Sequence, residues 1–459
     1  MKKNIFLGLF SAMGLIVSAG CSKNWLDVKS DKTQTVASSY SDFQELLDQT
    51  TQMNYWAPAI GEVGSDGHFI TDQSWASISY DNGKDAYSWS HNYPYTQVTD
   101  WTTSYPIAFI SDLVLEGLQK LKPQTNSDQE QWNNIRGQAL FHRANLFFEL
   151  AQIWAPPYDS STANKDLSIP LRLSSDITTP SVHSTVEQSY VQIINDLQEA
   201  TRLLPQRAKF LTRPSFTATF ALLARVYLSI GNYDSAFAYS DKCLQVYNSL
   251  IDYNTLDTTA SSVGLFNREV LFHNVMYTDP YDQFLDVGCL IDTALYNLYN
   301  QNDLRRPVFF QINPDSTISY KGNYNSRSDA QLFCGMATDE VYLIRAECYA
   351  RSGNTSNAMA DLNTLLQSRW RTGTFVPFTA VDANDALAQI LVERRKELLM
   401  RGIRWTDLRR LNKDNRFALT LSRTIGGTTY TLAPNSFRYT LPIPDDIIQI
   451  TGMQQNPGW

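Results

Sequence analysis

An aromatic-rich segment, Trp75 to Tyr105, carries the side chains best suited to hold a ligand. Eight of its residues are Trp or Tyr, a density well above the 12% aromatic content of the whole chain. Turn-forming triplets that begin at Asp81 and Asn92 place much of the segment in loops. Because pyranose C–H faces pack on aromatic rings while hydroxyls bond polar side chains, this combination favours sugar binding. The predicted binding residues are the rings of Trp75, Tyr80, Trp89, Tyr93 and Tyr95 and the polar side chains of Asp81, Asn82 and Asn92.

Two alternatives for these rings stay open. Any one of them could belong to the hydrophobic core, and the residues from Trp101 to Tyr105, which begin a run of helical character, are the most core-like. Rings from distant loops could also join the site, because a helical-repeat fold brings separated insertions together. The rings that could do so are Trp56, Tyr281 and Tyr324.

Sequence motifs of catalysis and of metal binding are missing. The five histidines form no HExxH pair, and the chain has no GxSxG turn, P-loop or GxGxxG segment. Asp66, Asp72 and Asp81 lie near the aromatic segment, but a glycosidase mechanism depends on a carboxylate separation that a sequence does not give. No cysteine or histidine spacing fits a metal site. We therefore expect a binding protein that is not an enzyme and uses no cofactor or metal.

The N-terminus predicts export and lipidation. Two lysines and a mainly apolar run precede Ser18-Ala19-Gly20 and then Cys21, which is typical of a signal peptide followed by a lipobox cysteine. Residues 1–20 are therefore predicted to be removed, and Cys21 to carry the lipid. An ordinary secretory signal with an incidental cysteine is the alternative. No other apolar run is long enough to predict a membrane helix.

Charge and cysteine content disfavour two further classes of protein. The formal net charge of −8 and the isoelectric point near 5.2 argue against a nucleic-acid partner, because neutralising phosphates needs a basic face. Four cysteines besides Cys21 are too few for a disulfide-dense scaffold. The sequence leaves open whether Cys289 and Cys334 meet.

Two stretches in the second half of the chain are copies of one helical unit. Phe220 to Gln245 and Tyr342 to Gln367 match without a gap, with alanines, a tyrosine and a Gly-Asn pair at shared positions. Small residues where helices approach, an aromatic residue one turn later and Gly-Asn in the turn are typical of tetratricopeptide helix pairs. A third, partial copy is predicted at Leu140 to Trp154, and an amphipathic helix at Val186 to Leu204. We predict an all-α-dominated, tetratricopeptide-like scaffold of stacked helix pairs with long loop insertions and minor β structure.

The segment Val392 to Asn412 concentrates charge, yet its pattern indicates scaffold. Acids alternate with bases at spacings that place them on neighbouring turns of a helix. Leucines, isoleucines and a tryptophan supply an apolar component, and Gly402 suggests a break between two helical pieces. We predict packed helices joined by local ion pairs rather than a clamp for a polyanion. The predicted pairs are Glu397 with Arg401 and Arg404 with Asp407.

Three further motifs accompany this segment. They are CSKNWLDV after the signal segment, ATDEVYLIRAECYARSGN in the second helical copy, and the terminal LPIPDDIIQITGMQQNPGW. Together with VERRKELLMRGIRWTDLRRLN, which is similar to the pattern ERRxELxxEGxRWxDLxR, they resemble the SusD/RagB family of outer-membrane nutrient-binding lipoproteins. One position departs from the pattern, because Arg401 stands where the family usually has Glu. We expect that change to perturb a local ion pair.

The resemblance implies a non-catalytic lipoprotein on the cell outer membrane of a Bacteroidota-type bacterium. Members of the family cover a SusC-like, TonB-dependent β-barrel transporter and deliver captured oligosaccharides to it for nutrient uptake. Two alternatives remain, a RagB-like peptide-binding lid of a peptide transporter and a mainly structural lid. The implied organisation is a signal peptide at 1–20, an N-terminal region at 21–220 with the aromatic-rich loops, and a C-terminal region at 221–459 intertwined with it as one globular unit.

Overall fold

Helices form most of the structure, a computed structural model that describes residues 37–325 and 331–459. The predicted signal segment and Cys21 lie outside the described residues. The α-helices are α1 (Tyr40–Leu47), α2 (Thr50–Asn54), α3 (Ile60–Gly64), α4 (Asp72–Ser77), α5 (Asp81–Ser88), α6 (Thr99–Leu118), α7 (Asn126–Trp154), α8 (Val186–Leu203), α9 (Phe216–Ser229), α10 (Tyr233–Val246), α11 (Asp282–Leu285), α12 (Thr293–Tyr296), α13 (Arg305–Phe309), α14 (Thr338–Arg351), α15 (Thr355–Gln367), α16 (Ala383–Glu397), α17 (Arg404–Leu411) and α18 (Asp445–Thr451). Short 3-10 segments lie at Tyr253–Thr255, Asp279–Tyr281 and Phe437–Tyr439.

The two predicted helix pairs are present, as α9 with α10 and α14 with α15. In each pair a glycine with positive φ opens the turn, Gly231 at 74° and Gly353 at 82°, a conformation that glycine adopts at little cost. The asparagine that follows each glycine accepts a hydrogen bond from a backbone N–H three residues later, at Ser235 and Asn357, and so caps the second helix. The tetratricopeptide-like, all-α-dominated fold is confirmed.

Three long helices, α6, α7 and α8, pack side by side before the repeats. α7 and α8 each begin with a capping box, at Thr125 and Thr185. The buried Arg143 of α7 donates to Asp112 of α6 at 2.7 Å and to Asp196 of α8 at 2.8 Å. One guanidinium therefore joins three helices. The predicted partial third copy falls on the C-terminal half of α7, with α8 packed against it.

The β structure is limited to small antiparallel pairs among the described residues, as expected. β1 pairs with β2, β3 with β6, β4 with β5 and β7 with β8. The β7–β8 hairpin turns at Gly426 and Gly427, both with positive φ. The β3–β6 pair ties the segment after α10 to the start of α14. The strands are β1 (Leu167–Pro170), β2 (His183–Thr185), β3 (Val270–Phe272), β4 (Phe310–Ile312), β5 (Ile318–Tyr320), β6 (Met336–Ala337), β7 (Leu421–Ile425) and β8 (Thr428–Leu432).

The charged segment at 392–412 is buried scaffold, but its predicted local ion pairs are wrong. α16 ends at Glu397, and the chain turns at Gly402 with φ of 69° before α17 begins. Arg401 is therefore not one helical turn from Glu397. Arg401 and Arg404 pair with carboxylates far away in sequence, whereas Asp407 has one local and one more distant partner. The observed partners are Asp339 for Arg401 at 3.1 Å and Asp66 for Arg404 at 2.5 Å, while Asp407 pairs with Arg394 and Arg410 at 2.8 Å.

A buried ionic network forms the centre of the C-terminal half. Arg305 binds Glu393 at 2.6 Å and Glu397 at 3.0 Å, and Arg369 binds Glu397 at 2.7 Å and Glu269 at 2.8 Å. All five side chains are almost fully shielded from solvent. Because an ion pair of this kind is favourable only when its partners satisfy one another, the network fixes how α13, α16 and the loop before α16 meet.

All four cysteines within the described residues are buried and free: Cys243, Cys289, Cys334 and Cys348. Cys289 and Cys334 therefore form no disulfide with each other. No helix in residues 37–325 or 331–459 has the length and apolar character needed to cross a lipid bilayer. Residues from Tyr40 to Trp459 form one compact unit, and the division at residue 220 stays a prediction.

Candidate functional site

The candidate site begins where an N-terminal loop runs alongside a segment from the middle of the chain. Residues 54–57 and 275–277 are joined by three backbone hydrogen bonds of 2.7 to 3.2 Å. This pairing sets the Trp56 ring beside the Tyr277 ring, with centroids 6.2 Å apart and planes tilted by 54°. Both side chains are half-buried, so part of each ring faces solvent.

A second ring pair, Tyr80 with Tyr281, continues this surface. The centroids lie 5.3 Å apart in an edge-to-face arrangement, with Tyr281 buried and Tyr80 half-buried. The Tyr80 hydroxyl lies 3.4 Å from the backbone nitrogen and from the hydroxyl of Thr99, the first residue of α6. Tyr80 is therefore fixed by a buried ring on one side and by a helix start on the other.

A third group of rings extends the surface to Trp75. Gly83 fits tightly, because a Cβ at this position would lie 2.6 Å from the Phe284 ring and 3.3 Å from the Tyr80 ring. Phe284 contacts Tyr87, and Tyr87 contacts the half-buried Trp75, with centroids 5.5 and 6.0 Å apart. We call the whole set the aromatic tract. Its members are Trp56, Tyr277, Tyr281, Tyr80, Phe284, Tyr87 and Trp75.

A buried carboxyl supports the tract from the inside. Asp100 Oδ2 accepts hydrogen bonds from the backbone N–H groups of Ala59 and Ile60, at 2.9 and 2.7 Å, and so caps α3. Burial raises the pKa of Asp100 to about 7, although the two amides lower it. The loop that holds Trp56 is thus followed at once by a helix whose cap titrates near neutral pH.

The structure divides the predicted binding residues between the tract and other places. Trp75 and Tyr80 belong to the tract, and Asp81 is exposed at the start of α5 next to Tyr80. Asn92 and Tyr93 are exposed on another loop, where the Asp85 carboxylate accepts both of their backbone N–H groups, at 2.9 and 3.2 Å. Three of the eight predicted residues therefore lie on or beside the tract.

The other three predicted residues, Trp89, Tyr95 and Asn82, are buried. Trp89 has a positive φ of 53°, which turns its ring inward, and its Nε1–H donates to the Gly64 carbonyl at 2.9 Å. Tyr95 is 2% exposed, and the Asn82 amide donates to the Thr96 carbonyl at 3.0 Å. As placed here, these side chains pack within the protein and offer no open face to a ligand, so we leave them out of the candidate site.

Tyr277 is the half-buried tract residue that sequence reasoning missed, and the buried Phe284 and Tyr87 were missed with it. The stretch Tyr277 to Tyr281, YTDPY, has the same mixture of rings and turn formers that marked the segment around Trp75, and that signal could have found it. Of the rings considered from distant loops, Trp56 and Tyr281 do join the tract. Tyr324 does not, because its ring lies beside Phe333 and its hydroxyl donates to Glu269 of the buried ionic network at 2.5 Å.

The aspartates weighed for catalysis have structural contacts. Asp66 pairs with Arg404 at 2.5 Å and with Arg395 at 3.1 Å, and Asp72 accepts the Gly426 N–H at 2.8 Å. Among residues 37–325 and 331–459, no cluster of three or more His, Cys, Asp or Glu side chains is arranged to hold a metal ion. The tract is thus a set of packed rings in which Trp56, Tyr277, Tyr80 and Trp75 are half-buried and the other three are buried. Two cations lie over it, Lys84 over Trp75 and Arg423 over Tyr87. The four half-buried rings are the ones open to a ligand.

Comparison with known families matches both ends of the chain to related descriptions. Residues 24–228 match the SusD-like family model described as starch-binding associating with outer membrane, and residues 318–459 match the model of the SusD family. The chain belongs to the SusD family. Neither match extends over residues 229–317, which supply Tyr277, Tyr281 and Phe284, so membership of the SusD family does not by itself locate the tract.

Individual SusD relatives have low sequence identity to this chain but a similar fold. SusD-like protein P2 of Formosa agariphila is 24% identical over 403 residues, which cover 73% of this chain and 76% of that protein. A candidate sugar-binding protein from Bacteroides vulgatus superposes with a TM-score of 0.73 at 24% identity, covering 93% of this chain and 100% of its own. A SusD-like carbohydrate binding protein from the same species gives 0.67 at 21% identity, covering 91% and 97%. These structures confirm the fold.

Proposed function

We propose that this SusD-family protein captures oligosaccharides on the aromatic tract and delivers them to a SusC-like, TonB-dependent transporter. The observation that carries the proposal is the half-buried ring pair Trp56 and Tyr277, together with the half-buried Tyr80 and Trp75 of the aromatic tract. Rings held in this way offer fixed apolar faces to pyranose C–H groups at little cost in conformational entropy. The family description and the sugar-binding descriptions of two structural neighbours support it.

Polar groups beside the tract are the proposed partners of sugar hydroxyls. Asp81 and Asp279 are exposed next to Tyr80 and Tyr281, and Asn92 and Tyr93 could extend the site along the neighbouring loop. Carboxylate and amide oxygens accept hydrogen bonds from hydroxyl groups. We propose that these groups fix the orientation of the glycan without breaking its bonds, so that the protein binds without catalysis.

We further propose that the protein is held on the outer membrane through lipid on Cys21. The support is the signal-like N-terminus of the sequence and a family described as associating with the outer membrane. Surface placement would bring the tract to extracellular glycans before import. The transporter is the partner that such a lipoprotein would serve.

Calorimetric titration tests the binding site. A chain that begins at Ser22 would be titrated with plant, fungal and host oligosaccharides and with mixed peptides. Trp56→Ala and Tyr277→Ala should each weaken binding of the recognised glycan roughly thirtyfold, because truncating an aromatic anchor costs about 2 kcal/mol of binding free energy. Trp132→Ala is the matched control, since Trp132 is also half-buried and its Nε1–H bonds the Leu118 carbonyl, away from the tract.

The titration has two outcomes that would change the conclusion. Equal losses in the Trp132→Ala control and in the tract variants would remove the tract from the proposal. If the wild-type protein released reducing ends from a bound glycan, the non-catalytic role would be wrong.

Peptide capture is the second candidate, and a groove along α6 favours it. The groove has a volume of about 550 Å³, and Trp101, Tyr105 and Phe109 line it at intervals of four residues. The Tyr105 hydroxyl already donates to the Pro170 carbonyl at 3.1 Å, so this wall is mainly apolar. Such a wall suits apolar peptide side chains better than sugar hydroxyls, which would lose their hydration there. Heat from peptides alone, abolished by Phe109→Ala, would favour this reading.

Delivery to a transporter is tested separately by co-purification. Tagged protein extracted from outer membranes in detergent should bring down a large β-barrel protein that mass spectrometry identifies as TonB-dependent. The structural-lid alternative predicts this partner together with no measurable affinity for glycans or peptides. Absence of any barrel partner would contradict delivery while leaving glycan capture to the calorimetric result.

A further inference from the structure

A group of cations stands out on the surface of this acidic protein. Arg207 and Lys209, between α8 and α9, and Arg268, before β3, are exposed. Among the described residues none of the three takes part in an ion pair, whereas the nearby Arg213 is paired with Asp48 at 2.5 Å. The net charge of the chain is −8, so this local positive charge runs against the overall sign.

Two specific contacts join the loops that carry these cations. The Arg207 guanidinium lies 4.3 Å from the centroid of the Tyr247 ring, and the Tyr247 hydroxyl donates to the Arg268 carbonyl at 2.7 Å. In addition, the His273 backbone N–H donates to the Leu211 carbonyl at 2.7 Å. The segments around 207–211 and 266–268 therefore form one continuous surface with a fixed arrangement.

Exposed phenyl rings lie among the cations. Phe210 is 51% exposed and Phe266 is 43% exposed, and the Phe266 ring lies 5.1 Å from the ring of His273. Phe266 also has a φ of 53°, a left-handed conformation that is strained for a bulky residue. The Phe266 ring therefore stays 43% exposed although its backbone conformation is strained.

We propose that this basic–aromatic patch, formed by Arg207, Lys209, Phe210, Phe266 and Arg268, docks on an anionic lipid surface. The cations would bind lipid phosphates, and the phenyl rings would enter the boundary between headgroups and acyl chains. This attachment goes beyond glycan capture and uses residues outside the aromatic tract. It would hold the protein body against a membrane in addition to any lipid on Cys21.

The chemistry of the patch favours lipid over an acidic polysaccharide. Lys209 and Arg213 both lie over the Phe210 ring, each 5.3 Å from its centroid, where a pyranose would have to stack. Phenyl rings have no polar atom for sugar hydroxyls, whereas an apolar ring beside a cation matches the layered polarity of a membrane interface. Because the whole chain is acidic, attraction to an anionic surface must come from a local feature such as this patch.

Vesicle binding tests the proposal with a chain that begins at Ser22 and so lacks any lipid. We expect it to co-sediment with phosphatidylcholine vesicles that contain about one third phosphatidylglycerol and not with pure phosphatidylcholine vesicles, and to detach as salt rises from about 0.05 M to about 0.5 M. The double variant Arg207→Glu/Lys209→Glu should lower the partition coefficient at least about tenfold, because each basic residue contributes a several-fold factor. Phe210→Ser should lower it several-fold.

Phe266→Gly separates membrane contact from folding. Glycine adopts the left-handed conformation without strain, so this variant should unfold at the same temperature or higher while binding vesicles several-fold more weakly. Matched controls elsewhere are Lys165→Glu, an exposed cation, and Ile177→Ser, whose side chain is 80% exposed. Both should leave vesicle binding unchanged.

Four outcomes would overturn the proposal. They are equal binding to the two kinds of vesicle, equal effects of patch and control substitutions, binding to soluble heparin without binding to vesicles, and displacement from vesicles by inorganic phosphate at the concentration of the lipid phosphate. The third would assign the patch to acidic polysaccharide, and the fourth to a free phosphate ion. Glycan titration by the same variants should be unchanged, so failure here and failure of glycan capture are distinguishable.

Discussion

Two buried carboxylates, Asp407 in the C-terminal half and Asp100 beside the aromatic tract, are stabilised in opposite ways. In the C-terminal half, Asp407 is bound by two arginines, and their charges, working against burial, lower its pKa to about 2. Asp100 near the tract accepts hydrogen bonds from the Ala59 and Ile60 N–H groups and pairs with no arginine of the described residues, and burial raises its pKa to about 7. Glu62 behaves in the same way as Asp100. Burial raises the pKa of Glu62 to about 7, although hydrogen bonds from the Ser65 hydroxyl and the Gly402 backbone N–H lower it.

This difference shows which part of the protein is fixed by charge and which by packing. Arginine–carboxylate pairs that span distant segments allow one arrangement of helices, because any other leaves a buried charge without a partner. The tract rests on ring contacts, on one tight glycine and on carboxyls that can become neutral. Its loops can therefore change shape or sequence without unpairing a buried charge, which suits a binding surface grafted on a constant scaffold.

The largest effect is expected in the buried ionic network. Glu397→Gln keeps the volume of the side chain but removes the charge shared by Arg305 and Arg369, which are both fully buried. Because two cations then lack part of their compensation, we expect the free energy of unfolding to fall by roughly 3–5 kcal/mol. Denaturation with urea, followed by circular dichroism, measures it.

A surface pair provides the control for this substitution. Lys413 and Asp159 lie 3.2 Å apart, with side chains 35% and 49% exposed. Lys413→Ala should cost less than about 1 kcal/mol, because solvent screens such pairs. Similar losses in the two variants would show that the network is not what fixes the C-terminal half.

The network also shows how much of the fold the sequence could predict. The helix pairs were readable because small residues, an aromatic residue and a Gly-Asn turn recur at a fixed spacing, and each of these has a local physical cause. The ion-pair partners of Glu397 and Arg401 could not be predicted from the sequence. Their spacing along a helix predicted that they pair with each other, but α16 ends at Glu397. Glu397 instead pairs with Arg305 and Arg369, and Arg401 pairs with Asp339, all distant in sequence.

The second-largest effect is expected for Asp100, the carboxyl that supports the tract, and its size depends on pH. Asp100 has a folded pKa of about 7, above the ordinary value near 4, so its contribution to stability is complete below pH ~4 and is lost as pH rises through 7. Asp100→Asn keeps an oxygen for the Ala59 and Ile60 amides and cannot ionise. The variant should exceed the stability of the wild-type protein by only about 1 kcal/mol near pH 5 and by about 2–4 kcal/mol near pH 8.

Urea midpoints of both proteins between about pH 5 and about pH 8 test this expectation. Comparing the two at each pH cancels the titration of the buried histidines His68, His142 and His273, whose pKa values burial lowers in both. If the difference in stability between the wild-type protein and Asp100→Asn did not change with pH, the Asp100 carboxyl would not be a buried group without a charged partner.

The candidate site was predictable in composition but not in detail. The aromatic-rich segment does supply Trp75 and Tyr80, yet ring content could not show that Trp89 would turn inward through a positive φ and bond Gly64. It also could not show that Tyr277 would meet Trp56, because that contact depends on pairing between segments more than two hundred residues apart. Long-range pairing decides which rings are exposed, and local sequence does not contain it.

The smallest effect tests whether the predicted binding residues form one surface or two. Tyr93 is 36% exposed, and among the described residues its ring pairs with no other ring, so Tyr93→Ala should change the free energy of unfolding by less than about 0.5 kcal/mol. If the tract alone binds the glycan, calorimetric affinity should match that of the Trp132→Ala control. A loss of more than about fivefold would mean that the ligand crosses from Tyr80 onto the Asp85-organised loop, because one full ring contact is worth about that factor or more. In that case the exposed residues predicted from sequence would be parts of a single site despite their separate supports.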